Sequence, residues 1–324
     1  MTGGADCAAL GCIMFDPTPI LSGDRRALAR LLTHIENAET DAPEALAVLF
    51  PRTGRAHVIG VTGAPGCGKS SLVNALAKTI RGTGRTVAVI AVDPSSPFTG
   101  GALLGDRLRM RDLAGDPGVF IRSMASRGAL GGLAEATADM VTALDAAGFE
   151  AILIETVGAG QAEVDIASTA HTVLVIEAPG LGDDVQASKA GILEIADVLV
   201  VNKADQPNAE NTVRALRASL DMASDPEPLE WQTPIVSTVA IDGRGVDDLA
   251  AAIRQHRDYL ESSGRLLRRE RERLHHELTA RLRDLLLEKL KARLSDGHFD
   301  ATVDKMVARE LDPWNAARQL ARGG

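Results

Sequence analysis

Nine residues, Gly63 to Ser71, read GAPGCGKSS and lie between an apolar run, HVIGVT, and a helix-forming run, LVNALAKTI. Gly63, Gly68, Lys69 and Ser70 complete the spacing GxxxxGK[ST], with Ala64, Pro65, Gly66 and Cys67 in the interval. Between a strand and a helix, that spacing has a mechanism. The glycines let the backbone curl so that successive N–H groups face phosphate oxygens, and the N-terminus of the following helix faces the same charge. Lys69 is positioned to bridge the β- and γ-phosphates, and the Ser70 hydroxyl to ligate Mg²⁺. Cys67 lies in the loop with no chemistry required of it, its side chain expected to point away from phosphate.

A second element selects the base. Asn202 to Asp205 read NKAD at the end of the run DVLVV. The Asp205 carboxylate accepts two hydrogen bonds, which matches the ring N–H and exocyclic amine of guanine. Adenine has no such donor pair and would leave the carboxylate unpaired. Asn202 is expected to brace the loop and Lys203 to lie along the ring. The implied ligands are GTP, GDP and Mg²⁺. Asp93 and Glu155 end predicted strands and Asp106 lies in LLGDRLRM, so these three acids are candidates to hold Mg²⁺ directly or through water. Gly158 can offer its N–H to the γ-phosphate. Gln161 is the candidate for orienting the attacking water, but Ala159 and Gly160 separate it from Gly158. That offset predicts slow intrinsic hydrolysis.

These residues need a scaffold, and the apolar runs describe one. HVIGVT, TVAVIAVD, GVFIRSM, AILIETV, HTVLVIEA, DVLVVNKAD and PIVSTVA are apolar throughout, not alternating, and helical segments separate several of them. Such a pattern predicts an α/β fold with a mostly parallel central sheet covered by helices on both faces. Helices are expected over 70–81, 133–147, 187–195 and 209–220 and from Gly245 onward. Residues 22–50 read as one or two amphipathic helices, with Ser22 or Asp24 as the first cap. After Gly264, LLRRERERLHHELTARLRDLLLEKLKARL is nearly all helix formers with leucines three and four apart. The expected organisation is a loose tail over 1–21, N-terminal helices over 22–55, a nucleotide-binding domain over 56–263 and a C-terminal helical extension over 264–324.

The chain has 324 residues, 3% aromatics and a net charge of −9, which argue against base-stacking platforms and against a nucleic acid or anionic membrane as partner. Three cysteines indicate a reducing compartment without a disulfide framework. No apolar run approaches 18 residues and the N-terminus lacks a basic leader, so a cytoplasmic location is expected.

In order and spacing, GAPGCGKSS, VDPSSPFTGGALLGDRLRM, ETVGAGQAEVD, APGLGDDVQASKAGILEIAD and NKAD resemble the MeaB/ArgK family of P-loop GTPases, over roughly residues 22 to 322. The resemblance implies a GTP-hydrolysing chaperone of an adenosylcobalamin-dependent acyl-CoA mutase, such as methylmalonyl-CoA mutase. It implies that hydrolysis is coupled to cofactor loading and to protection or reactivation of the mutase. It also implies a homodimer formed partly through the C-terminal helices. On the same ground Asp93, Asp106 and Glu155 are the acids on the Mg²⁺ side, and residues 179–189 form a third switch in which Asp183, Gln186 and Lys189 respond to the partner. One departure stands out. Val239 and Ala240 occupy the place of the family's Ser-Ala pair, so a hydroxyl contact to the base is lost while the Ala240 N–H is still expected to meet the guanine carbonyl. The alternatives are a metal-insertion GTPase for a nickel enzyme, which should carry a His- or Cys-rich cluster, and an ATP-dependent kinase, which NKAD opposes.

Overall fold

In the computed structural model, residues 15–93, 110–113, 115–125, 132–156, 162–180, 193–223, 231–294 and 297–322 are described. The apolar runs form β1 (His57–Gly63), β2 (Val87–Asp93), β3 (Val119–Ala125), β4 (Ala151–Glu155), β5 (Thr172–Glu177), β6 (Val198–Asn202) and β7 (Ile235–Thr238). They make one sheet in the order β3-β2-β4-β1-β5-β6-β7, and every pairing is parallel. All residues of β1, β4, β5 and β6 are buried, which explains runs without alternation: both faces need apolar side chains.

The helices are α1 (Thr18–Leu21), α2 (Arg25–Glu36), α3 (Ala42–Leu49), α4 (Lys69–Gly82), α5 (Gly132–Ala146), α6 (Ala162–Thr169), α7 (Ala209–Ala223) and α8 (Val246–Ser262). On one face, Val58, Ile90, Ile152 and Val175 pack with residues of α2, α3, α5 and α6. On the other, Ile59, Val61, Val89, Leu153 and Leu174 pack with α4 and α8. Asp24 caps α2, its carboxylate accepting from Arg26 N at 2.8 Å and Ala27 N at 3.1 Å. Leu28, Leu31, Leu32 and Ile35 then fall on its buried face.

Two local expectations change. Thr18–Leu21 form a short helix inside the stretch read as a tail, and Ile20 is buried against the core, a contact that local composition does not encode. Helix α6 was not among the predicted helices, because its eight residues carry little periodicity. It is accommodated by Gly60, where a Cβ would lie 2.8 Å from Ile166 Cγ1. The predicted helix over 187–195 lies largely outside the described residues.

The chain divides into two compact units, residues 1–269 and 270–324. Helix α9 (Arg265–Arg293) begins in the first unit and continues through the second, followed by α10 (His298–Val307) and α11 (Pro313–Arg322). No residue of α9 is buried, and Arg273 bonds Glu270 and Glu277 along it. Among the described residues, no helix is long and apolar enough to cross a membrane.

At the N-terminal ends of the strands a buried polar chain runs across the sheet. His57 Nε2 and Thr172 Oγ1 share a hydrogen bond of 2.8 Å, and Thr172 Oγ1 and His256 Nδ1 share one of 2.9 Å. His256 Nε2 stands 3.3 Å from Asp197 Oδ1, whose carboxylate also accepts from Val173 N and from both terminal nitrogens of Arg269. The Trp231 ring covers His256, centroids 4.7 Å apart. Burial pushes His256 down to about 4, outweighing the attraction of Asp197. The unfolded chain therefore takes up this proton near pH 6.5 and the folded protein only near 4, so stability is lost as pH falls through that window. Wild-type protein should lose about 2 kcal/mol through this residue between pH 7 and pH 5, and His256→Gln should flatten that part of the slope in urea unfolding. Equal slopes in the two proteins would show that His256 does not carry it.

Candidate functional site: a nucleotide-binding loop cluster

The chemistry-bearing residues collect at the opposite, C-terminal ends of the strands. Glu155, the last residue of β4, is level with Val61 of β1 and Ala91 of β2. The loop from Gly63 and the backbone of Asp93 therefore emerge beside it. Register decides this meeting, since Ser70 and Glu155 are 85 residues apart in sequence.

The loop is shaped by backbone geometry that only glycine adopts easily. Gly63, Gly66 and Gly68 have φ of +143°, +82° and +96°. A Cβ on Gly63 would sit 2.1 Å from the Ile176 carbonyl oxygen, and one on Gly68 would sit 2.4 Å from Asn202 Nδ2. Helix α4 then starts at Lys69, so its free N–H groups face the loop. Lys69 is buried, and its ammonium donates to the carbonyls of Gly63 at 2.8 Å and Ala64 at 3.1 Å. The loop thus sets a cation beside the N-terminus of a helix, the two features a phosphate needs. Pro65 and Gly66 are exposed at its tip, and Ser71 is half-buried behind it. Cys67 is wholly buried in the core beneath α4. Burial pushes its thiol up, so it stays protonated and unreactive.

The buried Ser70 hydroxyl donates to Glu155 Oε1 at 2.6 Å. Two hard oxygen donors held side by side next to the phosphate loop fit Mg²⁺ by charge and donor type. Asp93 contributes its backbone to the same strand end; Asp106, Gly158, Gln161, Asp183, Gln186 and Lys189 lie outside the described residues. A pair not anticipated from sequence stands between the two motifs. Thr156 Oγ1 donates to Thr62 Oγ1 at 3.1 Å, both residues buried, which links the entrance of the phosphate loop to the segment after Glu155. Each threonine directly adjoins a candidate residue at a strand end, and that adjacency was the available signal.

Asn202 joins the Asn202–Asp205 segment to the phosphate loop and to the end of β7 and the turn after it. Its Nδ2 donates to the Cys67 carbonyl at 2.8 Å, while Oδ1 accepts from Thr238 Oγ1 at 3.2 Å and Ala240 N at 3.1 Å. Lys203, at φ +56°, donates from Nζ to the Gly66 carbonyl at 2.7 Å. A cavity of about 170 Å³ lies between the loops, bordered by Gly68 and Ser71 of the phosphate loop, by Asn202, Lys203 and Asp205, and by the turn at 239–241. The exposed Asp205 borders it as well. Val239 is buried in the wall, and the Ala240 N–H donates to Asn202 Oδ1 at 3.1 Å.

Ser70→Ala should leave the protein folded while lowering GTP turnover on the order of 10²-fold, the scale of a lost metal contact. Activity within a few-fold of wild type would remove Ser70 from the site. Asp205→Asn should weaken GTP binding at least ~100-fold and create affinity for XTP, whose carbonyl can accept from the new amide. Unchanged GTP and XTP affinities would place the base elsewhere.

The chain matches a family model described as methylmalonyl Co-A mutase-associated GTPase MeaB over residues 28–295. A protein of Pyrococcus abyssi is 48% identical over 301 residues, covering 93% of each chain. GTPase ArgK of Escherichia coli (strain K12) is 34% identical over 314 residues, covering 92% of each. The crystal structure of a LAO/AO transport system kinase superposes with a TM-score of 0.72 at 28% identity, covering 94% of this chain and 95% of that one. With its phosphate loop and its Asn202–Asp205 loop tied together at the ends of one parallel sheet, the chain belongs to the MeaB family of P-loop GTPases and is a GTP-hydrolysing enzyme.

Proposed function

We propose that this GTPase serves an adenosylcobalamin-dependent acyl-CoA mutase, coupling GTP hydrolysis to loading of the mutase's cofactor and to protection or reactivation of the mutase. The observation that carries the nucleotide part is the Asn202 node, which holds the base loop and the phosphate loop around one cavity. The family's description, a mutase-associated GTPase, supports the client.

Hydrolysis forms a bond from water oxygen to the γ-phosphorus and breaks the bridging bond to the β-phosphate, giving GDP and phosphate. The chain's contribution is positioning and charge. Lys69, whose ammonium rests on the Gly63 and Ala64 carbonyls, transfers to phosphate oxygens. Ser70 and Glu155, with Asp93 and Asp106, would hold Mg²⁺. Bound there, the ion would neutralise charge on the β- and γ-phosphate oxygens. Gly158 offers an amide to the γ-phosphate and Gln161 orients the water, from a position that keeps the unassisted rate low. The third switch, with Asp183, Gln186 and Lys189, completes the arrangement when the partner docks.

The active form in this reading is a homodimer. Its motivation is α9, where Leu278, Leu282, Leu285 and Leu286 are all more than half exposed at helical spacing. The cytoplasm is the working compartment, in keeping with a single buried free thiol, Cys67, among the described residues.

Purified protein should turn over GTP slowly, faster with its mutase, and leave ATP intact. Lys189→Ala should abolish the stimulation while sparing the basal rate. GTP turnover indifferent to every such mutase would sink the client, and full stimulation of Lys189→Ala would sink the third switch.

A further inference from the structure

The base cavity has an apolar wall that recognition by Asp205 leaves without a role. Ile241 borders the cavity, yet 85% of its surface is open to solvent. A lone exposed isoleucine on a surface needs no explanation. This one is held in place from several sides. Val239 N donates to the Arg244 carbonyl at 2.9 Å, and Gly243 N returns a bond to the Val239 carbonyl at 3.0 Å. Arg244 donates to the Asp242 carboxylate from its backbone N at 3.0 Å and from Nε at 2.8 Å. Gly243 and Gly245 hold φ of +83° and +73°, and a Cβ on Gly245 would stand 2.1 Å from the Ser237 carbonyl oxygen. Ala240 N donates to Asn202 Oδ1, so the turn takes its position from the side chain that also grips the phosphate loop. A tightly closed turn therefore presents a branched apolar side chain at the mouth of a ligand cavity, at a level where Val239 and Ala240 offer no side-chain donor.

We propose that Ile241 is the apolar contact face for the purine ring, supplying affinity, while Asp205 supplies the choice of base. The proposal rests on the reading that the cavity holds guanine. A purine exposes two flat apolar faces as well as a polar edge, and covering one face with Ile241 removes both surfaces from water. Such a contact is indifferent to ring substituents. It acts on every purine that Asp205 admits, and it does not involve the phosphates.

The test is equilibrium binding of GDP, IDP, ADP and pyrophosphate to the full-length wild-type chain and to Ile241→Ala, Ile241→Asp and Ile241→Leu, with thermal unfolding of each. IDP lacks the exocyclic amine and so reports polar recognition separately. Ile241→Ala should raise Kd for GDP and IDP by the same factor, about five- to tenfold. Ile241→Asp should weaken both further, and Ile241→Leu should stay within about twofold of wild type. Pyrophosphate affinity, the GDP-to-IDP ratio and Tm should not move, because the side chain is exposed and makes no fold contact that its loss would break. Unchanged GDP affinity in both Ile241→Ala and Ile241→Asp overturns the proposal. So does a shifted GDP-to-IDP ratio or pyrophosphate affinity, since either means the turn has moved. Equal affinity of the wild-type protein for GDP and ADP overturns the guanine reading and this proposal with it. A wild-type preference for GDP with an indifferent Ile241 overturns this proposal alone.

Discussion

One buried amide holds the site together. Asn202 is 2% exposed, and its two side-chain ends reach three segments: the phosphate loop through the Cys67 carbonyl, the end of β7 through Thr238, and the following turn through Ala240 N. An amide is suited to this because it donates from one end and accepts at the other. Isosteric Asp would offer only acceptors and leave the Cys67 carbonyl without its donor. Each unpaired group in such a buried place costs about 1–3 kcal/mol. The constraint reaches backward too. Gly68 must lack a Cβ because Asn202 Nδ2 occupies that space, so the phosphate loop's glycine answers to the base loop as well as to the ligand.

The two ends of the sheet are built by different rules. At the C-terminal ends the polar groups are short-range donors and acceptors around open volume, with Lys69 and Ser70 bonded to partners that a nucleotide and a metal would displace or share. At the N-terminal ends the polar groups are closed on one another. The His57–Thr172–His256 chain and the Asp197–Arg269 pair are bonded internally, and the Trp231 ring packs over His256. The first arrangement leaves capacity for a ligand; the second adds none and instead fixes β1, β5, α8 and the first turn of α9 to one another.

Affinity and selectivity separate in the same way around the base. Among the described residues no side-chain bond holds Asp205, whereas the turn at 239–244 is closed by its own backbone and by the Asp242–Arg244 pair. A rigid turn spends little ordering entropy when a ring enters, so apolar contact there contributes more of its transfer free energy.

What the sequence determined by itself was local. The GxxxxGK[ST] spacing, the NKAD tetrapeptide, the Asp24 cap and the continuous Val/Ile runs each depend on residues close together in the chain, and all seven strands and most helices follow from them. Tertiary structure decided which of these pieces meet. Sheet order brings Glu155 to Ser70, pairs Thr156 with Thr62, and sets Asn202 against Cys67 across the intervening β5. It also turned the Ala240 amide toward Asn202, brought Ile241 to the cavity, and made room for α6 over Gly60. Apolar runs specify that strands are buried on both faces, but one Val/Ile strand pairs as well as another. The choice among neighbours is made by the helices that cover them and by contacts dozens of residues apart, which no local pattern contains.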